Sequence, residues 1–185
     1  MIYRSKAPLR IGLAGGGTDV SPYSDQFGGA ILNASISLSA YATIEPLSEK
    51  KIIIQAYDRN EKQEFDLQPS LPVDGTLDLL KAVYNRIQKD NAFDLHGFRL
   101  STFVDAPAGS GLGTSSTLVV AVLGAFKEML KLHYDEYKTA QLAYDIERND
   151  LQLAGGKQDQ YAATFGGVNF MEFDTHNKVI VNQLR

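Results

Sequence analysis

The stretch APAGSGLGTSST, residues 106–117, places glycines, a proline and hydroxyl side chains directly before the most apolar segment of the chain, LVVAVLGAFKEML at 118–130. Glycine allows a tight backbone turn, and the apolar segment predicts a buried helix over about 114–131. The first N–H groups of a helix lack partners within it, so a glycine loop at that point suits an anion such as a phosphate. A tight strand-to-helix turn with hydroxyl caps explains the same residues.

The loop differs from the two common nucleotide-binding motifs. No lysine precedes the serines, as a Walker A loop requires, and Thr114 stands where G-x-G-x-x-G has its third glycine. From the residues alone, phosphate binding and a structural turn therefore both stay open.

Composition and charge bound the function. The 185 residues suit one domain, and 44% hydrophobic with 22% charged residues is typical of a globular protein. The net charge of -4, without a basic run, speaks against nucleic acid as a partner. The chain has no cysteine, its three histidines show no ligand spacing, and no apolar run approaches the roughly 18 residues of a membrane span. We therefore expect a cytoplasmic protein without nucleic-acid or membrane contacts.

Strand-like and helix-like segments share the chain without regular alternation, which favours an α+β fold over a doubly wound sheet. No linker divides the chain, so we predict a single domain over residues 1–185. The predicted strands cover 9–14, 30–37, 40–47, 51–57, 63–67, 97–105, 167–173 and 178–184, and the predicted helices cover 76–89, 114–131, 135–150 and a short segment that ends at Gly166.

Two further segments place carboxylates beside glycines. Residues 15–17 are glycines and precede Thr18 and Asp19, and the segment GGKQDQYAATFGG at 155–167 places Asp159 near the start of a predicted helix. A β-turn explains the first segment, and an N-cap explains the second, as well as a binding role does. Glu147, by itself, is typical of a solvated charge on a helix face.

The segment PAGSGLGTSST at 107–117 resembles the signature P-x-x-x-G-L-G-S-S-A of the GHMP kinases, the superfamily of galactokinase, homoserine kinase and mevalonate kinase. The resemblance implies that this loop wraps the phosphates of ATP and that the second serine, here Ser115, binds Mg²⁺. It also implies a second Mg²⁺ ligand on the next helix, at Glu147. The implied ATP-binding residues are Pro107, Gly109, Ser110, Gly111, Leu112, Gly113, Thr114, Ser115 and Ser116.

The N-terminal segment KAPLRIGLAGGGTD, residues 6–19, is similar to the galactokinase pattern A-P-G-R followed by G-E-H-T-D-Y. The resemblance implies that Arg10 is a catalytic residue near the transferred group and that Gly17, Thr18 and Asp19 bind the sugar. Glycines replace the relatives' G-E-H, so we expect a roomier sugar pocket. Asp159 corresponds to the aspartate of a G-x-x-D-Q segment that acts as base for the attacking hydroxyl.

These three motifs, in the family's order, imply a ribosomal protein S5 domain 2-like two-layer fold. In that fold a mixed or antiparallel sheet packs on helices and includes a left-handed β-α-β unit. The implied function is an ATP-dependent sugar kinase, and the N-terminal segment is most similar to the branch of heptose 7-phosphate kinases and fucokinase-like enzymes, which act on the anomeric hydroxyl. Lys6 and Lys157 are candidates for the sugar phosphate, although surface charges explain both residues equally well.

GHMP kinases usually have a C-terminal domain that closes over the active site, and we expect that domain to be absent from this chain. The isolated domain is then expected to show weak activity or none. A second copy of the chain, in a homodimer, is a further partner to consider. The alternative functions are another GHMP kinase of the fucokinase or galactokinase type, a non-catalytic nucleotide-binding module, and an RNA-binding domain, which the net charge of -4 disfavours.

Overall fold

In residues 1–94 and 96–184, which the computed structural model describes, seven strands form one mixed sheet. The strands are β1 (Tyr3–Ala14), β2 (Gly29–Pro46), β3 (Lys51–Ala56), β4 (Glu61–Asp66), β5 (Phe98–Val104), β6 (Val168–Phe173) and β7 (Val179–Leu184). The sheet order is β4-β3-β5-β2-β6-β7, and β1 pairs with the opposite edge of β2. Strands β3 and β5 pair in parallel, whereas the other neighbours are antiparallel.

The helices cover one face of this sheet. They are α1 (Tyr23–Phe27), α2 (Asp78–Asn91), α3 (Thr114–Leu130), α4 (Glu136–Asp145) and α5 (Gln158–Phe165), and a π-helical turn (Ile146–Asp150) continues α4. Helix α3 lies across β1 and β2, where Val119 and Phe126 are buried in the same core as Leu9 and Ile44. The predicted α+β class is confirmed, and the β-α-β unit consists of β3, α2 and β5.

Three aromatic rings hold α2 and α3 on the sheet. The Tyr84 and Phe98 ring centroids lie 5.4 Å apart, and those of Phe98 and Phe126 lie 5.6 Å apart. The Tyr84 hydroxyl donates to the Gln68 carbonyl, and burial raises the pKa of Tyr84 to about 12. Burial of each such ring contributes about 1.5 to 3 kcal/mol, so this cluster fixes the layer from which the site is built.

Three differences from the sequence-based prediction are larger than one or two residues at the end of an element. The two strands predicted at 30–37 and 40–47 are one strand, β2, because residues 36–38 form an irregularity in the pairing with β1 and not a loop. Strand β1 begins at Tyr3, six residues before the prediction, since its first half pairs with the second half of β2. Helix α1 was not predicted, because its five residues are too few to show a helical period.

Candidate functional site

The glycine loop joins β5 to α3 with backbone angles that glycine adopts readily. Gly109, Gly111 and Gly113 have φ angles of 80°, 76° and 75°, in the left-handed region. Gly113 is the N-cap of α3 and makes no side-chain cap hydrogen bond, and the first turn of α3 contains no acidic residue. The hydroxyl cap of the structural alternative is therefore wrong at the N-cap position, whereas its tight strand-to-helix turn is present. The N-terminus of α3 has the geometry and the partial positive charge to receive an anion.

The remaining predicted loop residues lie around this helix start. Ser110 donates its backbone N–H to the Pro107 carbonyl, which closes a turn before Gly111. Leu112 is half-buried against the core, and Ser116 is buried on α3. The structure thus brings the predicted phosphate-binding residues into one loop and one helical turn. The residues that are exposed there are Pro107, Gly109, Ser110, Gly111 and Ser115.

Arg10 connects the glycine loop to α5. Its backbone N–H donates to the Leu112 carbonyl (3.2 Å), and its Nη1 donates to the Gly111 carbonyl (2.7 Å). Its Nε and Nη2 lie 2.7 and 2.6 Å from Asp159 Oδ1. The register of β1 on β2 shifts between Pro8 and Arg10, directly before the residue that contacts the glycine loop and α5. Three segments far apart in the chain therefore meet at one guanidinium.

Asp159 lies in the first turn of α5 with its carboxylate against the glycine loop. The N-cap of α5 is Lys157, so the alternative that Asp159 itself is the N-cap is wrong. A Cβ placed on Gly113 would lie 3.3 Å from Asp159 Oδ2, which shows how closely the free carboxylate oxygen approaches the start of α3. Charge-assisted pairing with Arg10 fixes the other oxygen.

Glu147 is a buried carboxylate. It lies on the π-helical turn and is 1% exposed, so the solvated charge that the sequence suggests is wrong. Its Oε2 accepts a short hydrogen bond from Gln160 Nε2 (2.5 Å), and the same Nε2 lies 3.0 Å from Ser116 Oγ. Burial raises the pKa of Glu147, and hydrogen bonds from Ser116 and Gln160 oppose that effect. Within residues 1–94 and 96–184, Glu147 has no cationic side chain within ion-pair distance.

The hydroxyl that contacts Glu147 belongs to Ser116 and not to Ser115. Ser116 is 1% exposed, whereas Ser115 is exposed and lines a shallow cleft with Leu79 and Leu118. Ser115 stays a prediction as a metal ligand. The sequence-based prediction missed Gln160. Its position directly after Asp159 was a signal, because successive helix residues are about 100° apart and one of the two can then face the interior. In the structure, Gln160 is the buried one.

The N-terminal glycine segment is held close to α5. Thr18 Oγ1 donates to the Gly15 carbonyl (2.8 Å) and accepts from the Ala30 backbone N–H (3.2 Å), while Gly17 is exposed. Asp19 is 5% exposed, and its Oδ2 accepts from the backbone N–H groups of Lys157 and Gln158 at 2.7 and 2.8 Å. The structure brings Asp19 and Asp159 to the same helical turn.

The two lysines differ in position. Lys157 is 3% exposed with its Nζ 5.8 Å from the Tyr144 ring centroid, and burial lowers its pKa against the opposing effect of nearby aspartates. Lys6 is exposed on β1 and lies over the Tyr41 ring, outside the group of contacts that Arg10 and Asp159 make. Of the two, only Lys157 is close to the candidate site.

Two features are absent from the part of the chain that the structure describes. It contains no group of three or more histidine, aspartate or glutamate side chains that would form a complete metal cage. None of its helices combines the length and the apolar character needed to cross a membrane.

Residues 78–167 match the family model described as the GHMP kinases N terminal domain. This match covers α2, the glycine loop, Glu147 and Asp159, which are the elements assembled above. This part of the chain is therefore assigned to the N-terminal domain family of the GHMP kinases.

Two heptose phosphate kinases are more than 50% identical to this chain. The chain is 53% identical over 182 residues to the D-glycero-alpha-D-manno-heptose 7-phosphate kinase of Campylobacter jejuni, a match that covers 98% of this chain and 54% of that protein. A crystal structure of a D-glycero-D-manno-heptose 1-phosphate kinase from Bacteroides thetaiotaomicron superposes with a TM-score of 0.97 at 56% identity, over 100% of this chain and 60% of that one. The chain therefore spans little more than half the length of these relatives.

A more distant structure supports the fold alone. Lactococcus lactis galactokinase complexed with galactose superposes with a TM-score of 0.80 at 24% identity, over 100% of this chain and 47% of that one. The predicted ribosomal protein S5 domain 2-like fold is confirmed by this agreement.

Proposed function

We propose that the full-length protein is an ATP-dependent sugar kinase that phosphorylates the anomeric hydroxyl of D-glycero-D-manno-heptose 7-phosphate and yields the 1,7-bisphosphate. The observation that carries the proposal is the Arg10–Asp159 pair, which places a carboxylate beside a helix start suited to phosphate. The names of the two similar kinases support a heptose phosphate as substrate, although they place the phosphate on different carbons.

The glycine loop and Arg10 would bind the triphosphate. The uncapped N–H groups at the start of α3 would donate to phosphate oxygens, and the glycines leave room for them, because a Cβ on Gly109 or Gly111 would meet nothing within 4 Å. Arg10 adds a fixed positive charge next to the loop, where it would stabilise charge that develops on the transferred group. The cleft next to Ser115 is lined by the apolar side chains of Leu79, Val104 and Leu118, and it would bind the adenine ring of ATP.

Glu147 and Ser116 fit a magnesium site. A carboxylate that is buried without a cationic partner is costly, and a divalent ion would offset that cost. Mg²⁺ usually binds through one or two protein oxygens together with substrate phosphates, so a complete protein cage is not required. When bound, Mg²⁺ would neutralise charge on the β- and γ-phosphates. Glu147 and the adjacent Ser116 hydroxyl would hold it, with Ser115 as the alternative that the family resemblance implies.

Asp159 would act on the sugar. Because Arg10 occupies Oδ1, the Oδ2 atom near Gly113 is free to accept the proton of the anomeric hydroxyl. The sugar oxygen then forms a bond to the γ-phosphorus, the bond from that phosphorus to the bridging oxygen breaks, and ADP leaves with the electron pair. Gly17 and Thr18 lie on the exposed loop at the N-terminal end of this turn, where they would contact the sugar.

A coupled assay of ADP release by the full-length protein tests this proposal. The substrates are heptose 7-phosphate, heptose 1-phosphate, fucose and galactose, each with ATP and Mg²⁺. We expect the highest kcat/KM with heptose 7-phosphate, and an inactive Asp159→Asn variant as control. Release of ADP that no sugar stimulates, or equal release by the variant, would contradict the proposal. A preference for fucose would favour the fucokinase type, to which a relative at 30% identity belongs.

We also propose that a C-terminal domain of the full-length protein covers the open face of the sheet. Paired residues of β1, β2, β6 and β7 form an apolar row on that face, in which Ile11, Val168 and Leu184 are 39%, 39% and 50% exposed. The β3–β4 edge of the sheet instead carries ion pairs such as Lys51–Glu64. The apolar surface therefore does not extend to this edge. The two heptose kinases contain a further 40% or more of their length outside the part that matches this chain, and this additional length supports a covering domain.

Binding of an apolar dye compares residues 1–185 with the full-length protein. We expect strong fluorescence with the shorter chain and weak fluorescence with the longer one. Weak fluorescence from a monomeric shorter chain would contradict the covering domain, and weak fluorescence from a dimeric shorter chain would assign the face to a second copy.

A further inference from the structure

Asp19 contacts α5 through the backbone. Its Oδ2 accepts from the N–H of Lys157 at 2.7 Å and from the N–H of Gln158 at 2.8 Å. These groups belong to the N-cap residue and the first residue of α5, and the Lys157 side chain makes no cap hydrogen bond. The first N–H groups of a helix have no partners within it. Asp19 therefore caps α5 from a segment 138 residues earlier in the chain.

The surroundings of Asp19 are built for this contact. A Cβ on Gly156 would lie within 2.0 Å of Asp19 Oδ2, so the carboxylate fills the space that glycine leaves. The preceding residue, Thr18, is anchored to the Gly15 carbonyl and to the Ala30 N–H of β2. Asp19 is thus attached to the sheet on one side and to the first turn of α5 on the other, and it is 5% exposed.

The turn that Asp19 caps carries the two side chains on which the candidate site depends. Asp159 extends from it to Arg10, and Gln160 extends from it to Glu147 and Ser116. A displacement of this turn would move the carboxylate next to the glycine loop and would also remove the hydrogen bond to the buried glutamate.

We propose that Asp19 is a positioning residue that acts through the first turn of α5. This inference rests on the proposed function and is distinct from the sugar-binding role that the family resemblance implies for Asp19. The reason is geometric, because one carboxylate oxygen is committed to two backbone N–H groups and the side chain is almost fully buried.

Two variants of the full-length protein test the proposal. Asp19→Ala removes the acceptor, and Asp19→Asn keeps a carbonyl oxygen that can accept both N–H groups. Because a misplacement of about 1 Å costs on the order of 100-fold in rate, we expect Asp19→Ala to lower kcat by about that factor, with the sugar KM within about threefold of the parent value. We expect Asp19→Asn to recover most of kcat.

Amide hydrogen exchange gives a readout that does not depend on activity. The N–H groups of Lys157 and Gln158 are expected to lose protection in Asp19→Ala and to keep it in Asp19→Asn. Asp135→Ala is the matched control, since Asp135 caps α4 through the Lys138 N–H at 2.7 Å and lies outside the candidate site. This control should lower the melting temperature to a similar extent and leave kcat unchanged.

The outcomes separate the two proposals. A sugar KM raised tenfold or more at unchanged kcat in Asp19→Ala would make Asp19 a sugar ligand and overturn the inference. Unchanged protection of Lys157 and Gln158 in Asp19→Ala would overturn it as well. A parent protein without sugar-dependent kinase activity would refute the proposed function, while the exchange data would still decide whether Asp19 holds α5. If Asp19→Ala does not fold, protection lost in Asp19→Asn at parental kcat overturns the inference, and protection kept supports it.

Discussion

Replacement of Gly113 by alanine should couple a small loss of stability to a larger loss of activity. Gly113 has φ = 75°, where a side chain costs about 1 to 2 kcal/mol, which for a chain of this size lowers the melting temperature by about 2 to 8 °C. The new Cβ would lie 3.2 to 3.4 Å from three Asp159 atoms, below the roughly 3.5 to 4.0 Å of a relaxed carbon contact. The Asp159 carboxylate must therefore shift by a few tenths of an ångström from its place on Arg10. We expect kcat to fall about tenfold.

Gly167→Ala provides the matched control for this experiment. Gly167 has φ = 72°, so its backbone strain is nearly the same, but a Cβ there would meet nothing within 4 Å. Urea unfolding should give similar losses of stability for both variants, and steady-state kinetics of the full-length protein should show a reduced kcat in Gly113→Ala alone. Equal kcat values in the parent and both variants, at the expected loss of stability, would refute the reasoning that the loop fixes the position of Asp159.

Three other changes test separate parts of the site. Asp159→Asn should lower kcat by at least about 100-fold and change the KM for ATP little, and comparable kcat values would remove Asp159 from the reaction. Ser116→Ala should raise the Mg²⁺ requirement more than Ser115→Ala does, and the reverse order in a Mg²⁺ titration would return the ligand role to Ser115. Because burial raises the pKa of Glu147 above its ordinary value of 4.5, the folded chain binds that proton more tightly than the unfolded chain. Without Mg²⁺, Glu147→Gln should therefore exceed the parent in unfolding free energy near pH 8, and the gap should shrink as pH falls toward 4.5, whereas a constant gap would contradict this.

The sequence predicts most of the elements because their boundaries are local. Helix α3 begins at the predicted residue, Thr114, since the glycines before it cannot continue a helix and an apolar run follows. Gly166 ends α5 as predicted, and the last two strands, predicted at 167–173 and 178–184, are β6 and β7, which pair antiparallel. The length of β2 was not predictable in this way, because the strand changes its neighbour from β6 to β5 at a polar stretch that resembles a turn.

The sequence predicts which residues form the candidate site better than it predicts the contacts between them. The glycine loop and the two aspartates carry recognisable spacing. In the structure, Arg10 joins the loop to Asp159, and Asp19 contacts the first turn of α5. The burial of Glu147 leaves no such trace, since charged neighbours surround it in the sequence and the π-helical turn that rotates it inward depends on packing. The cap that Asp19 provides spans 138 residues and appears only when the chain is folded.

Under the proposed function, helix α5 would link the binding of a metal at Glu147 to the position of the proposed base, Asp159. Gln160 donates a hydrogen bond to the buried Glu147, and Asp159, one residue earlier, pairs with Arg10. The positions of both carboxylates therefore depend on the same helical turn. An ionised Glu147 without a cation is costly in the folded chain, and that cost would be offset when a metal binds. Binding would then strengthen the arrangement around Gln160 and, through the shared turn, hold Asp159 at the glycine loop. A device of this kind needs no movement of domains, because the coupling passes through one rigid turn that Asp19 fixes to the sheet.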